Sequence, residues 1–321
     1  MKPLTAAIAP SHTIFDEDWW LEAAAPGAWG RVKTLWDGQV VGEMAFHVRK
    51  RWGLTYIQMP HLTRTMSPRL SPPPAKQATR ELHYLEIVGE LLKSLPRHDR
   101  FERSLNPGCP SVPGFVHANL PVTHMFTFRS QPGDEPEGML KAAHQEARRA
   151  ITKAQRECAT DRSMDLDRFI RLHRQAYGEA SLVDYGVLQR LFEAAAAREQ
   201  VEIIFATLDT AGGKRRDTAA MIVIWDQQAA YTWLLARDGV KNYVGASSLL
   251  TFEAMRTAQR LGRVLDLDGY IRPEVGAFLM KFGLQPVVRP YVNSSSRTWQ
   301  IMRAATTLAR QNRPDRHFRV T

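Results

Sequence analysis

The side chains best suited to chemistry gather in one stretch, Leu265-Asp266-Leu267-Asp268-Gly269-Tyr270. Its apolar–acidic alternation reads as a buried strand, which places Asp266 and Asp268 on the same face. A carboxylate so placed can take a proton from a nucleophile, directly or through water, and a phenol such as Tyr270 can donate to a developing oxyanion. Asp-Gly is also a routine turn dipeptide, so a turn accounts for Asp268 as well, and one of the two aspartates can be purely structural. Upstream, Val244-Gly245-Ala246-Ser247-Ser248 leads into an amphipathic helix from about Ala246 to Leu261. Small residues there leave the N–H groups of the first turn uncovered, which suits a phosphate or another anion. A plain strand-to-helix turn capped by Ser247 or Ser248 explains the same letters. On the strand-like run before it, Ala229 to Ala236, Tyr231 and Trp233 share a face and either line a cleft or pack in the core.

The elements that must position these groups follow from pattern and punctuation. Val201–Leu208, Ala219–Trp225 and Ala229–Ala236 read as three consecutive antiparallel strands that deliver the chain to the Gly245 loop. After the buried strand come a short helix, Glu274 to Phe282, and a last strand, Gln285 to Tyr291. Two helices, Asp165 to Tyr177 and Asp184 to Arg198, precede them; His173 on the first has no partner at a catalytic spacing and reads as structural. Ahead of these, a helix running to Cys158 puts Leu140, Ala143, Ala147, Ala150, Ile151, Ala154 and Cys158 on one side. Arg148, Arg149, Lys153 and Arg156 fall on the other side, with Lys141. Such a face is either simply solvated or a contact for a phosphate backbone.

The first half is less regular. Asp16 to Ala25 reads as a short helix, and Gly30–Trp36, Gln39–Val48 and Leu54–Met59 as a meander turning at Asp37-Gly38. Pro60 to Pro74 reads as a loop. A helix is expected from Ala75 to Leu95, with Leu82, Leu85, Val88 or Gly89, and Leu92 on its apolar face. Phe101–Leu105 and Met125–Phe128 complete a unit that closes near residue 130. Gln131 to Gly138 is a polar, proline-containing connection.

Composition bounds the function. A length of 321 residues points to two domains. With 44% apolar residues the chain is globular, and no run is long enough to span a membrane. Cys109 and Cys158 show neither metal-like spacing nor a disulfide framework, and the N-terminus lacks the apolar core of a signal peptide. Together these place the protein in the cytoplasm. The formal charge of +10 favours a polyanionic partner. Gly-x-Ser-x-Gly, Walker, dinucleotide and His-Glu-x-x-His motifs are absent, which removes those enzyme classes.

The order of elements and the phrases Ala219-Ala220, Tyr231-Thr232-Trp233, Gly245-Ala246 and Leu265-Asp266-Leu267-Asp268-Gly269 resemble the GNAT acyltransferases, and more closely their FemABX-like branch. The basic helix, Ala147 to Ala154, is similar to that branch's arginine/lysine helix. The resemblance implies an α+β fold of two tandem GNAT-like domains, each a mixed, mostly antiparallel sheet flanked by helices. These would span residues 1–130 and 161–300, with a linker and basic helix over 131–160 and a basic tail over 301–321. It implies transfer of an acyl or aminoacyl group, from acyl-CoA or aminoacyl-tRNA, to an amine by direct attack in a ternary complex. No metal and no tightly bound cofactor are expected. FemABX proteins act on peptidoglycan precursors.

In that topology Asp268 is the candidate base or amine-orienting group and Tyr270 a candidate donor. Val244 to Ser248 would hold the donor's anion, and Tyr231 and Trp233 would face the acceptor. Two stretches depart from the pattern. The CoA loop, Arg/Gln-x-x-Gly-x-Gly/Ala, reads Asn242-Tyr243-Val244-Gly245-Ala246-Ser247 here. The Phe-Lys-x-x-Phe-Gly motif reads Phe278-Leu279-Met280-Lys281-Phe282-Gly283, with its lysine, Lys281, displaced by two. A second reading keeps the fold without catalysis, as a basic module that docks RNA or another polyanion.

Overall fold

The computed structural model describes residues 12–209, 215–238, 244–269 and 273–311, and for 244, 268, 269 and 305–311 the backbone alone. A 3-10 turn, Ile14–Asp16, leads into α1 (Asp18–Ala24). The expected meander forms as β1 (Trp29–Trp36), β2 (Gln39–Arg51) and β3 (Leu54–Gln58), followed by the two-residue β4 (Arg69–Leu70). Next come α2 (Gln77–Lys93), β5 (Arg100–Ser104), α3 (Val112–His117) and β6 (Val122–Arg129). The chain continues through α4 (Pro136–Ala142), α5 (Gln145–Glu157) and β7 (Cys158–Ser163). Helices α6 (Leu166–Tyr177) and α7 (Tyr185–Ala196) then precede β8 (Val201–Asp209), β9 (Arg215–Trp225) and β10 (Ala229–Arg237). Last are α8 (Val244–Arg260), β11 (Val264–Gly269), α9 (Pro273–Met280), β12 (Gln285–Ser295) and α10 (Arg297–Gln311).

All the strands join one mixed sheet in the order β1-β2-β3-β5-β12-β6-β11-β10-β9-β8-β7, with β4 paired to β2. The expectation of an α+β fold with a mixed, mostly antiparallel sheet flanked by helices holds. Strand β12 runs between β5 and β6, antiparallel to both. At the other end of the chain, Phe15, Trp20 and Leu21 pack into the core beneath β8, β9 and β10, with α6 and α7, a core that Ala45 of the meander also joins. The opposite face of those strands is covered by α8, which α5 and α4 cover in turn. Helix α8 is therefore buried nearly all round rather than along one stripe, with Ala246, Leu249, Phe252, Ala254 and Met255 each at most 2% exposed. Asp165 and Asp184 cap α6 and α7, accepting from Arg168 N at 2.8 Å and Gly186 N at 2.9 Å.

Local structure departs from sequence pattern at three places. The long helix expected up to Cys158 breaks at His144, where the chain turns extended after Ala143 and the His144 ring accepts from Glu146 N. Beyond it Ala147, Ile151 and Ala154 face inward as expected, while Cys158 starts an edge strand. In α2 the buried side is Ile87, Val88 and Leu91, and Leu82 is 64% exposed. Val88 of the expected face is thus buried, but the buried side is shifted to Ile87 and Leu91, and α3 packs beside it. Gly114 lets it do so: a Cβ on Gly114 would stand 2.6 Å from Val88 Cβ, an atom that no rotamer change can move. Gly114→Ala is expected to cost about 1–3 kcal/mol, read by urea unfolding; a change below about 0.5 kcal/mol would contradict this packing.

Burial also sets a pH dependence. The ring of His173 bonds Tyr185 Oη through Nδ1 at 2.9 Å and lies against Phe169 and Tyr177. Burial holds its imidazole below the ordinary range, as it does for His47 and His61. The folded protein therefore resists a proton that the unfolded chain accepts. The resulting stability is present above the unfolded chain's value of about 6.5 and is lost below it, as pH falls through the lowered value of the folded protein. The difference in unfolding free energy between wild type and His173→Phe is expected to narrow between about pH 7.5 and about pH 5.5. A difference that widens on acidification contradicts it.

Candidate active site: a wedge between parallel strands

Strands β10 and β11 pair in parallel over three positions only, Ala229↔Val264, Ala230↔Leu265 and Tyr231↔Asp266. Beyond them each strand stays with its outer neighbour, β10 with β9 and β11 with β6. The inner edges of Thr232–Arg237 and Leu267–Gly269 thus diverge and leave a wedge. Peptide groups along such edges require partners from water or a ligand.

Two devices open the wedge. In β10, Thr232 pairs with Val223 and Leu234 with Ile222, so Trp233 is an extra residue that bends the strand as a bulge. The bulge is fixed from the loop between β3 and β4: Arg64 donates to the Trp233 carbonyl, and Trp233 Nε1 donates to the Leu62 carbonyl at 3.0 Å. The indole is 1% exposed and meets Trp20 edge-on at 5.2 Å. On the other side, Asp266 ties β11 to β6, accepting from Thr127 Oγ1 and from Arg129 Nε at 2.6 Å.

The electrostatics at the closed end are those of a fixed scaffold. Tyr231 Oη donates to Asp226 Oδ2 at 2.9 Å, and Asp226 also accepts from Ile14 N, Gln228 N and Ala229 N. Burial, with the Asp226 and Asp266 charges, pushes the Tyr231 phenol well above its usual range, so it stays a donor. Burial works against charge on Arg129, but Asp266, Tyr231 and Asp226 outweigh it and hold the guanidinium above its ordinary range. Beside the bulge lies a narrow cavity of about 10 Å3, space for about one water, lined by Arg64, Thr65, Arg129, Trp233, Asp266 and Arg289 among others.

The sequence-derived site residues fall in three places. Asp268 is on the inner edge of β11, with its side chain outside the described residues, and Tyr270 lies outside them altogether, as do Asn242 and Tyr243. Val244 begins α8, which follows β10 at the end toward which the wedge widens. Gly245 is half-buried there, and Ala246, Ser247 and Ser248 are buried, their small side chains letting the helix sit close on the sheet. Tyr231 and Trp233 border the cavity and also belong to the core.

Lys281 lies apart from the cavity, next to Phe282 in the core of the opposite sheet face, where its Nζ meets Glu146 Oε2 at 2.8 Å. Gly283 beside it has φ +72°, and a Cβ there would stand 3.0 Å from the Ala142 carbonyl carbon and oxygen, so the motif's glycine is required for close approach. On α5, Arg148 Nη1 donates to the Lys141 and Ala143 carbonyls at 2.7 and 3.0 Å, sealing the end of α4. Lys153 lies 3.9 Å from Glu157. Arg149 and Arg156 are exposed. Sequence reasoning missed Arg64, Asp226, Arg129 and Arg289. Asp226 had a signal, a lone acid at a tight turn; the three arginines had none, because their partners are far away in the chain.

The chain has counterparts among known proteins. Residues 140–270 match the model of the acetyltransferase (GNAT) domain family. The crystal structure of FemX superposes with a TM-score of 0.66 at 12% identity, covering 91% of this chain and 94% of its own. The fold is FemABX-like. The same FemABX-like arrangement relates the chain to the C-terminal domain of a putative lysylphosphatidylglycerol synthetase from Agrobacterium fabrum, with a TM-score of 0.56, 10% identity and 92% of each chain covered. A tandem GNAT protein from the clavulanic acid biosynthesis pathway superposes at 0.50, with 11% identity and 86% of each chain. No curated protein matches the sequence. Acyl transfer is the activity class to which the matched domain points.

Proposed function

We propose that the protein is an N-acyltransferase whose donor is an acyl thioester of the acyl-CoA kind. The observation that carries this reading is the wedge. An extended arm bearing amides can pair with both strand edges where no strand lies between them. The donor's phosphates would then lie toward the first turn of α8 at Gly245 and Ala246, and its acyl carbonyl beside the Trp233 bulge, where a backbone amide can receive the oxyanion. An amine attacks that carbonyl, the C–S bond breaks, and the thiolate leaves. Asp268 takes the ammonium proton, directly or through water, and Tyr270 protonates the sulfur. The tandem-domain boundaries near 130, 160 and 300, a cytoplasmic setting and a peptidoglycan precursor as acceptor belong to the same proposal.

Aminoacyl-tRNA is the competing donor, favoured by the exposed Arg149 and Arg156 of α5. Thermal unfolding with acetyl-CoA, alongside filter retention of tRNA across a salt series, separates the two. Stabilisation by acetyl-CoA, without tRNA retention, is the expected result. Salt-sensitive tRNA retention with no response to acetyl-CoA would sink the thioester reading. Asp268→Asn is expected to lower turnover by about 100-fold or more; an unchanged rate removes its role as base.

A further inference from the structure

The hairpin between β2 and β3 turns at Trp52, an indole 64% exposed at the outermost point of the meander. Arg49, Lys50 and Arg51 lead into it, all exposed, and the Arg51 guanidinium stands 4.0 Å from the Trp52 ring centroid. A second exposed apolar group comes to the same end of the sheet. Lys50 pairs with Thr55, whose N–H donates to Asp99 Oδ2 at 2.9 Å, while Ser296 N donates to the Asp99 carbonyl at 2.7 Å. Asp99 thereby ties the base of the hairpin to the start of α10. Trp299 on the first turn of α10 lies 4.4 Å from the Arg100 guanidinium, and beyond it Ile301 is 70% exposed. Arg97, ahead of β5, and Arg297, at the head of α10, are exposed as well.

Charge at this end is unbalanced. The two acids that β5 and its approach bring there are engaged, Asp99 by Thr55 and Ser296, and Glu102 by Arg100 at 2.6 Å. Among the described residues, Arg49, Lys50, Arg51, Arg97 and Arg297 form no ion pair. We propose that this end of the meander is a docking surface for an anionic lipid bilayer. Trp52 and Ile301 enter the interfacial region, and the five cations meet the headgroups. An indole suits headgroup depth, with an apolar ring and one N–H donor, and lysine and arginine stems carry their charge past apolar surface to the phosphates. Single-stranded nucleic acid would use the same cations and could stack on Trp52, but it offers an aliphatic side chain no apolar phase to enter. Ile301 therefore favours the bilayer. The inference is independent of the donor and the acceptor at the wedge.

Flotation with phosphatidylcholine vesicles containing about 30% phosphatidylglycerol, against vesicles of phosphatidylcholine alone, tests it. The wild type is expected to bind the anionic vesicles about tenfold more tightly or better, with the advantage shrinking as salt rises. The formal charge of +10 favours any polyanion, so local variants must separate this surface from that background. Arg49→Gln combined with Lys50→Gln and Arg51→Gln should weaken binding about 30-fold or more. Trp52→Ala combined with Ile301→Ser should weaken it about tenfold and leave its salt dependence in place. All five positions are exposed, and an unchanged thermal unfolding midpoint in both variants shows that the fold is intact. Equal binding to the two kinds of vesicle, binding to neither, or a loss under about threefold in either variant overturns the inference. Filter retention of a single-stranded RNA of about 20 nucleotides decides against the rival. Retention that Trp52→Ala abolishes, with no flotation of the wild type, would assign the surface to nucleic acid instead.

Discussion

Trp233→Ala is expected to destabilise the protein by about 4 kcal/mol, the cost of emptying a fully buried indole site. The ring is 1% exposed, meets Trp20 edge-on and sits in the core shared with Phe15 and Tyr231. More is lost than volume, because the indole N–H holds the Leu62 carbonyl at 3.0 Å and so fixes the loop from which Arg64 reaches the bulge. Trp233→Phe separates the two roles. It keeps much of the packing and removes that hydrogen bond, and is expected to cost about 1–2 kcal/mol in urea unfolding. If the bulge positions the acyl carbonyl, Trp233→Phe lowers kcat for acyl transfer by about tenfold or more while leaving the KM for the donor nearly unchanged. A Trp233→Phe enzyme with wild-type kcat would show that the bulge has no part in catalysis.

Asp266→Ala is expected to cost about 3 kcal/mol. Its carboxylate is the partner of Arg129 Nε at 2.6 Å and also accepts from Thr127 Oγ1. Removing it strands a largely buried guanidinium at the seam between β6 and β11, and the penalty is mostly that of the unpaired charge. The double variant Asp266→Ala with Arg129→Met should therefore recover at least about half of the loss. Additive losses in chemical unfolding would mean that each residue acts through packing alone. Asp266→Asn, which still accepts from Thr127, should fall between wild type and Asp266→Ala.

How much of this could be read from the sequence depends on the range of the interaction concerned. The meander, α6 and α7, and the run β8-β9-β10-α8-β11 were legible because alternation and helical period are local signals. The bulge at Trp233 was not, since nothing in Tyr231-Thr232-Trp233 reports that β9 supplies one residue where β10 supplies two. In α2 the leucine stripe misled, as periodicity shows that a helix has an apolar side but not which side the fold uses. The basic face of α5 was read as one surface, whereas Arg148 closes the end of α4 and Lys153 lies near Glu157. That α4 ends at Ala142 was itself hidden, because Ala143-His144-Gln145 carries no strong breaker. At the site, alternation correctly put Asp266 on a buried strand, but its bond to Arg129 spans 137 positions of sequence.

The placement of β12 between β5 and β6 has a consequence for how the chain reaches this state. Tyr291 pairs with Ser104 on one side and Thr123 on the other, so the meander half cannot close its sheet until nearly the whole chain has been made. On the ribosome, β5 and β6 would wait as open edges through the synthesis of α4 to α9, exposed to other nascent chains. Insertion of β12 is then a late, long-range step that joins the two halves at once, and it sets the speed of folding more than any local helix does. Because β6 borders both β12 and β11, the same step also fixes the strand that carries Arg129 beside the wedge, so the wedge is completed with β12 rather than with β10 and β11 themselves.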